Sequence, residues 1–287
     1  MDRSDPERCR SRRVDTAAMS SSPARPPTSL HSDAFGERVR QQFGRRAAFY
    51  EGQARLQQAL ACRLARLCRD LPLYEGPCAD LGAGSGLLSR ALMAQHRGLA
   101  ERPPLQLDLC PQLLERNPLP SRLLWDLNSG LPAELDGAAL LASGFCLQWL
   151  EQPLGQLAHW CHSLRPGGWL VLALPTSGSF PQWRQAAAAA GVHCTALELP
   201  AAEAMIRTAE AGGLELWHSG ILRFSRPRQG GLETLRHLSW LGAAASRSQP
   251  LSAVELRRLL RRWPPASPLT WEILVLIGKR RGAACDW

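Results

Sequence analysis

Apolar residues are almost unpatterned over the first part of the chain and become periodic near residue 34. Residues 1–33 mix Arg, Ser and Pro and cannot recover the entropy of ordering by burial, so a disordered tail is expected there. Asp2, Asp5, Glu7 and Asp15 speak against an organelle transit peptide, and Met19 offers a second candidate start. From Phe35 onward Val39, Phe43, Leu56, Leu60, Leu64 and Leu67 recur at helical intervals, which predicts two helices broken near Glu51 and Gly52.

After these helices the pattern changes to short apolar runs. The strand candidates are "CADL" leading into a glycine loop, then 104–109, 122–127, 138–143, 168–175, 214–224 and 271–278, separated by helical or irregular stretches. Runs rich in Leu and Val with little polar alternation suit a sheet covered on both faces, and strands alternating with helices give an α/β doubly wound fold. Helical patterning over 232–245 and 252–263, the latter opening on Ser252 and Glu255 as a capping box, predicts a helical insert at about 228–267 before the last strand. The alanine run at 185–191 reads as part of a helix. Residues 34–287 are thus expected to form one domain behind the tail.

A chain of 287 residues with 45% hydrophobic content can bury a sizeable core. No apolar run approaches the ~18 uncharged residues of a spanning helix, and no secretory pattern opens the chain, so a cytoplasmic protein is expected. The nine cysteines lack C-x-x-C spacing, so reduced thiols are expected, with neither a disulfide framework nor a zinc site. His159 and His162 lie three apart without a third ligand at recognisable spacing, and no metal site is assigned. The formal charge of +9 attracts acidic partners without choosing among nucleic acid, lipid and protein. No aromatic-and-basic interleaving supports nucleic-acid binding.

The chemistry concentrates in "CADLGAGSGLLSRAL", residues 78–92. Glycines after a strand let the chain turn tightly and bring bare backbone against a ligand. A dinucleotide loop wants G-x-G-x-x-G, but Leu87 stands where its third glycine belongs. The G-x-G-x-G spacing of Gly82, Gly84 and Gly86, preceded by Asp80, resembles the first motif of the class I S-adenosylmethionine-dependent methyltransferases. Asp80 suits contact with a ligand ammonium group. Asp108, at the end of the next strand, suits the two hydroxyls of a ribose. In that family an acidic residue after the third strand takes the adenine amino group, which the resemblance assigns to Asp126, with the Leu127 backbone beside it. Ala83, Leu109 and Ser143 complete the cofactor site that the resemblance implies.

A closer likeness runs from about residue 39 to 280. "FGRRAAFYEGQARLQ" (43–57) resembles the F-G-R-A-A-x-Y-x-x-x-A-x-L-Q signature of the malonyl-acyl-carrier-protein O-methyltransferases that begin pimelate synthesis for biotin. "SGFCLQWLEQP", "GSFPQWRQA", "ETLRHLSWLGA" and "PLTWEILVLIGKR" are similar to further segments of that family. The resemblance implies methyl transfer from S-adenosylmethionine to the carboxylate of a malonyl thioester on an acidic acyl carrier protein, by a protein expected to be a monomer. Tyr50 is then expected to close over the methyl group, with Arg45 (or Arg184) as carboxylate partner and Gln148 and Trp149 lining the acceptor channel. The departures are Leu197 where an arginine is usual, Gly144 for an asparagine and Ser239 where a lysine is frequent.

Three other readings stand beside this one: a small-molecule methyltransferase of the quinone or sterol kind, a nucleic-acid-binding protein, and a non-catalytic scaffold. The "LQW" and "PLTW" segments speak against the first. The basic stretch "ELRRLLRRW", with Arg257, Arg258, Arg261 and Arg262, is a candidate carrier-docking surface, against the alternative of a solvated charged face.

Overall fold

The Leu- and Val-rich runs form strands because both of their faces find apolar cover. The computed structural model describes residues 34–227, 230–241, 243–265 and 267–282; the expected tail lies outside the described residues. Its seven strands are β1 (Cys78–Leu81), β2 (Leu105–Asp108), β3 (Arg122–Leu124), β4 (Ala138–Gly144), β5 (Leu164–Pro175), β6 (Leu214–Arg226) and β7 (Leu269–Arg280). They make one sheet in the order β3-β2-β1-β4-β5-β7-β6. All neighbours pair in parallel except β7, which runs antiparallel to both β5 and β6.

Eleven α-helices surround the described sheet: α1 (Ala34–Arg46), α2 (Tyr50–Gln53), α3 (Arg55–Leu67), α4 (Leu87–Gln95), α5 (Arg97–Glu101), α6 (Pro111–Arg116), α7 (Pro153–Ser163), α8 (Pro181–Ala190), α9 (Ala202–Ala211), α10 (Gly231–Trp240) and α11 (Ala253–Arg262). Alternation along β7 shows the two layers. Leu274 and Leu276 join Trp160 of α7 and Met205 of α9 on one face, while Ile273, Val275 and Ile277 join Leu60 and Leu64 of α3 and Leu88 and Leu92 of α4 on the other. The seven-stranded doubly wound fold with N-terminal helices and a helical insert is therefore present.

Boundaries differ in instructive places. The N-terminal break does not fall at Gly52, which lies inside α2. The chain leaves the helix at a 3-10 turn, Ala47–Phe49, and again at Ala54, which is fully buried with ψ of 40°. β3 stops at Leu124, so that Trp125 and Asp126 leave the sheet and turn inward. The first insert helix ends at Trp240. The second follows its predicted capping box, with Ser252 Oγ accepting from the Glu255 amide and the Glu255 carboxylate accepting from the Ser252 amide at 2.8 Å.

Strand order reverses between β1 and β4. Their carboxyl ends therefore diverge into a crevice, which is where ligands bind in open α/β sheets. The N-terminal helices lie over this crevice. Phe35 and Val39 of α1, one helical turn apart, pack with Phe43 and Trp149 and against Ala245 of the insert.

Candidate active site

The glycine loop turns because three residues adopt left-handed backbone. Gly82, Gly84 and Gly86 have φ of 75°, 54° and 82°. Two also lack room for a side chain: a Cβ on Gly82 would lie 2.2 Å from Cys146 Cβ, and one on Gly86 would lie 2.5 Å from Asn117 Oδ1. At Gly84 the nearest atoms would be Leu113 Cδ1 at 3.6 Å and Asp108 Oδ2 at 3.9 Å. Gly84 lines the cavity together with Gly82 and Ala83.

Four of the loop's amides are spent internally. Gly82 and Ala83 both donate to the Leu107 carbonyl at 2.8 Å, Gly84 donates to Asp108 Oδ2 at 2.8 Å, and Gly86 donates to Ala83. Asp80 Oδ2 accepts from both the amide (3.1 Å) and the hydroxyl (2.8 Å) of Ser89, so a carboxylate already occupies the first turn of α4. A pyrophosphate would need those donors. The arrangement suits a ligand that approaches the loop without a phosphate, against a dinucleotide.

Behind the loop runs a buried chain of side chains. Gln106 Nε2 donates to Ser89 Oγ at 2.8 Å, and Asn117 Nδ2 donates to Gln106 Oε1 at 3.1 Å and to the Gly84 carbonyl at 3.3 Å. This chain ties Asp80 to the loop from the protein side and holds the glycine turn in one conformation.

Asp80, Asp108 and Asp126, from the ends of three successive strands, all line one cavity. Burial raises the Asp80 carboxyl to about 7, partly offset by the Ser89 hydrogen bonds. Burial likewise raises Asp108 to about 6 against the lowering effect of the Cys110 and Gly84 amides. Asp80 Oδ1 and Asp126 Oδ2 are buried with no hydrogen-bond partner, although the other oxygen of each is satisfied, that of Asp126 by Asn128. Two orphaned acceptors and a ribose-competent carboxylate on one wall fit an adenosyl ligand carrying an ammonium group.

Other cofactor-site candidates divide. Ala83, Leu109 and Leu127 line the same cavity. Ser143 is fully buried and donates to the Leu81 carbonyl at 2.8 Å, so it ties β4 to β1 without reaching the cavity wall. Gly86 serves the turn beside Asn117 and likewise lies off the wall.

Tyr50 lines the cavity near the loop and also a second cavity beyond it; the two share Phe43, Tyr50, Gln57, Phe145 and Trp149. Burial pushes the Tyr50 phenol far above its ordinary range, so it stays a proton donor. Gln148 lines the second cavity only. Its Nε2 donates to the Phe145 carbonyl at 2.7 Å, and its Oε1 is buried without a partner. Trp149 reaches both cavities and meets Phe43 edge-on with centroids 5.7 Å apart. Phe145 and Phe180, each with φ of 59°, follow β4 and β5 and line the second cavity.

The expected cations are not brought in. Arg45 is exposed on α1, and Arg184 is exposed on α8 and turns its Nη1 to the Ser179 carbonyl; neither lies on a cavity wall. The arginine at the first cavity is Arg40, which grips Glu37 at 2.6 Å and holds that carboxyl down to about 2. Leu197, at the position of the missing arginine, lines the second cavity, and no charged side chain does so among the described residues. Gln57, unassigned from sequence although it closes the quoted signature, lines both cavities with Oε1 buried and unpartnered. His159 and His162 serve helix ends and turns, His159 Nε2 accepting from the Leu131 amide. Among the described residues no helix is long and apolar enough to cross a membrane.

No protein-family model matches the chain. Among curated proteins it is similar to the malonyl-[acyl-carrier protein] O-methyltransferase of Magnetococcus marinus, 29% identical over 236 residues that cover 78% of this chain and 84% of that protein. It is also similar to the Salmonella typhimurium protein of the same name, at 26% identity over 83% of this chain and 95% of that one. Among solved structures, a Bacillus halodurans protein described as a methyltransferase superposes with a TM-score of 0.54 at 12% identity, over 76% of this chain and 99% of the other. That likeness is one of fold.

Proposed function

We propose that this relative of the malonyl-[acyl-carrier protein] O-methyltransferases, a class I methyltransferase in fold, transfers a methyl group from S-adenosylmethionine to the free carboxylate of a malonyl thioester on an acyl carrier protein. The product is the malonyl methyl ester that opens pimelate and biotin synthesis. The observation that carries the reading is the convergence of Asp80, Asp108 and Asp126 with the glycine loop on one cavity that Tyr50 also lines.

When bound, S-adenosylmethionine supplies an electrophilic methyl group on a cationic sulfur. Asp108 would accept the ribose hydroxyls, Asp126 Oδ2 the adenine amino group and Asp80 Oδ1 the ammonium group. The acceptor carboxylate is already ionised near neutral pH, so no residue must remove a proton. What the chain supplies is alignment and exclusion of water. Phe43, Phe145 and Trp149 wall off the junction of the two cavities, and Tyr50, kept protonated by burial, donates a hydrogen bond to the carboxylate there. The uncharged second cavity takes the neutral remainder of the thioester arm.

One observation favours a second reading. With Leu197 in place of a cation, the second cavity would also suit a neutral small acceptor such as a quinone precursor. Incubation with methyl-labelled S-adenosylmethionine and, in parallel, malonyl-carrier protein, a demethylated quinone precursor and bulk RNA separates the readings. Label on the carrier that is released by mild alkaline ester hydrolysis is the expected result. Label on the quinone precursor alone selects the second reading.

A further inference from the structure

We infer that the outer face of α11 is the docking surface for an acidic carrier protein; the inference rests on the carrier-linked acceptor reading above. At about 100° per residue, Arg257, Arg258, Arg261 and Arg262 sweep an arc of about 140°, while Leu256, Leu259, Leu260 and Trp263 fall on the other side of the helix. Leu259 and Trp263 are buried, and all four arginines are exposed.

Within the helix the positive charge of this face is offset by one acid, Glu255, whose carboxyl is held below its ordinary range first by Ser252 and to a lesser degree by the charges of His193 and Arg258. Among the described residues none of the four arginines lies within ion-pair distance of a carboxylate. Arg257 turns its Nε back to the Ala253 carbonyl at 3.1 Å, and Glu255, the one acid of the helix, is spent in the capping box with both its hydrogen bonds on Ser252. Four like charges on a short helix repel one another. A surface that keeps them together is matched by a partner carrying a line of carboxylates. Val254, 60% exposed within the same arc, adds an apolar contact at the centre of the patch.

The placement of α11 couples this surface to the acceptor site. Trp263 packs against Trp183 of α8 with ring centroids 6.0 Å apart, and Trp183 is itself a wall of the second cavity. A carrier seated on the outer face of α11 is therefore separated from the chamber that takes its thioester arm by the helix itself, about 10–12 Å across, and by the Trp263 and Trp183 side chains.

The test compares wild type, Arg258→Glu/Arg261→Glu and the charge-retaining Arg258→Lys/Arg261→Lys with two acceptors, malonyl-carrier protein and malonyl-pantetheine. The second presents the same arm without the acidic protein. The Glu variant is expected to lose at least about tenfold in kcat/KM on the carrier and to stay within about twofold on malonyl-pantetheine, while the Lys variant keeps most of both. Circular dichroism and thermal melts check that the helix persists. Equal effects on both acceptors, or none on either, overturn the docking surface. If wild type methylates neither acceptor, the functional reading fails by itself. The docking inference is then judged by direct titration with the unacylated carrier: binding by wild type and its loss in the Glu variant support it, and any other outcome refutes it.

Discussion

The Gly84 amide donates to Asp108 Oδ2 at 2.8 Å, while Asp108 Oδ1 accepts from the Cys110 amide at 2.7 Å. One carboxylate thus fixes the glycine loop against the end of β2, and the edge it presents to the cavity is set by backbone on both sides. Asp108→Ala should weaken S-adenosylmethionine binding by about 10–100-fold, since a hydrogen bond to a charged group is worth about 1.5–3 kcal/mol. Asp108→Asn, which keeps one acceptor oxygen, should fall between. Isothermal titration calorimetry reads both.

The raised carboxyls make an unusual pH dependence. Asp80 at about 7 and Asp108 at about 6 keep protons in the folded protein that the unfolded chain gives up at ordinary carboxylate pH. Folding binds more protons, so their contribution is present at about pH 4 and is lost as pH rises through 6 to 7. Without ligand, the thermal midpoint of wild type minus that of Asp80→Asn should fall across this window. S-adenosylmethionine binding should tighten over the same range, as the ionised acceptors form. A flat difference curve would show that the Asp80 carboxyl is not raised.

Two glycines of one loop should respond differently. Gly82→Ala combines left-handed backbone with a clash against Cys146 and should destabilise the fold by about 2–5 kcal/mol. At Gly84 a methyl group meets nothing closer than 3.6 Å, so only the backbone term of about 1–2 kcal/mol applies to stability. Its methyl group should instead obstruct the ligand. Chemical denaturation should therefore rank Gly82→Ala as the more damaging variant, and ligand titration Gly84→Ala.

Tyr50→Phe removes one hydrogen bond at the junction of the cavities and leaves the ring between Phe43 and its neighbours. The expected result is a fall in kcat of about tenfold or more with S-adenosylmethionine affinity unchanged within error. An unaltered kcat would remove Tyr50 from the chemistry.

Much of the architecture was legible because burial on both faces leaves a plain signature. The Leu- and Val-rich runs of β4, β5 and β7 have almost no polar alternation, and the aspartates at the carboxyl ends of β1 and β2 and just beyond β3 stand where a sheet of this kind presents its ligand edge. What the residue order hid was phase and distance. Arg45 follows Phe43 by two residues, about 200° around α1, so a side chain in a family-like motif points away from the cavity, whereas Arg40 lies about 60° from Phe43 and lines it. Ser143 reads as a strand-end polar residue, yet its hydroxyl is consumed by the Leu81 carbonyl. The second cavity is assembled from Trp183, Leu197, Leu238, Ala245 and Trp271, pieces separated along the chain that no local pattern connects.

The central claim is that Gly84, Asp108 and Asp126 surround one adenosyl ligand whose sulfur faces Tyr50. A crystal structure of the protein with S-adenosylhomocysteine tests it most directly. The account predicts ribose hydroxyls on Asp108, the adenine amino group on Asp126, and the sulfur turned toward the cavity junction. A ligand bound elsewhere, or bound with its adenine away from Asp126, would contradict it.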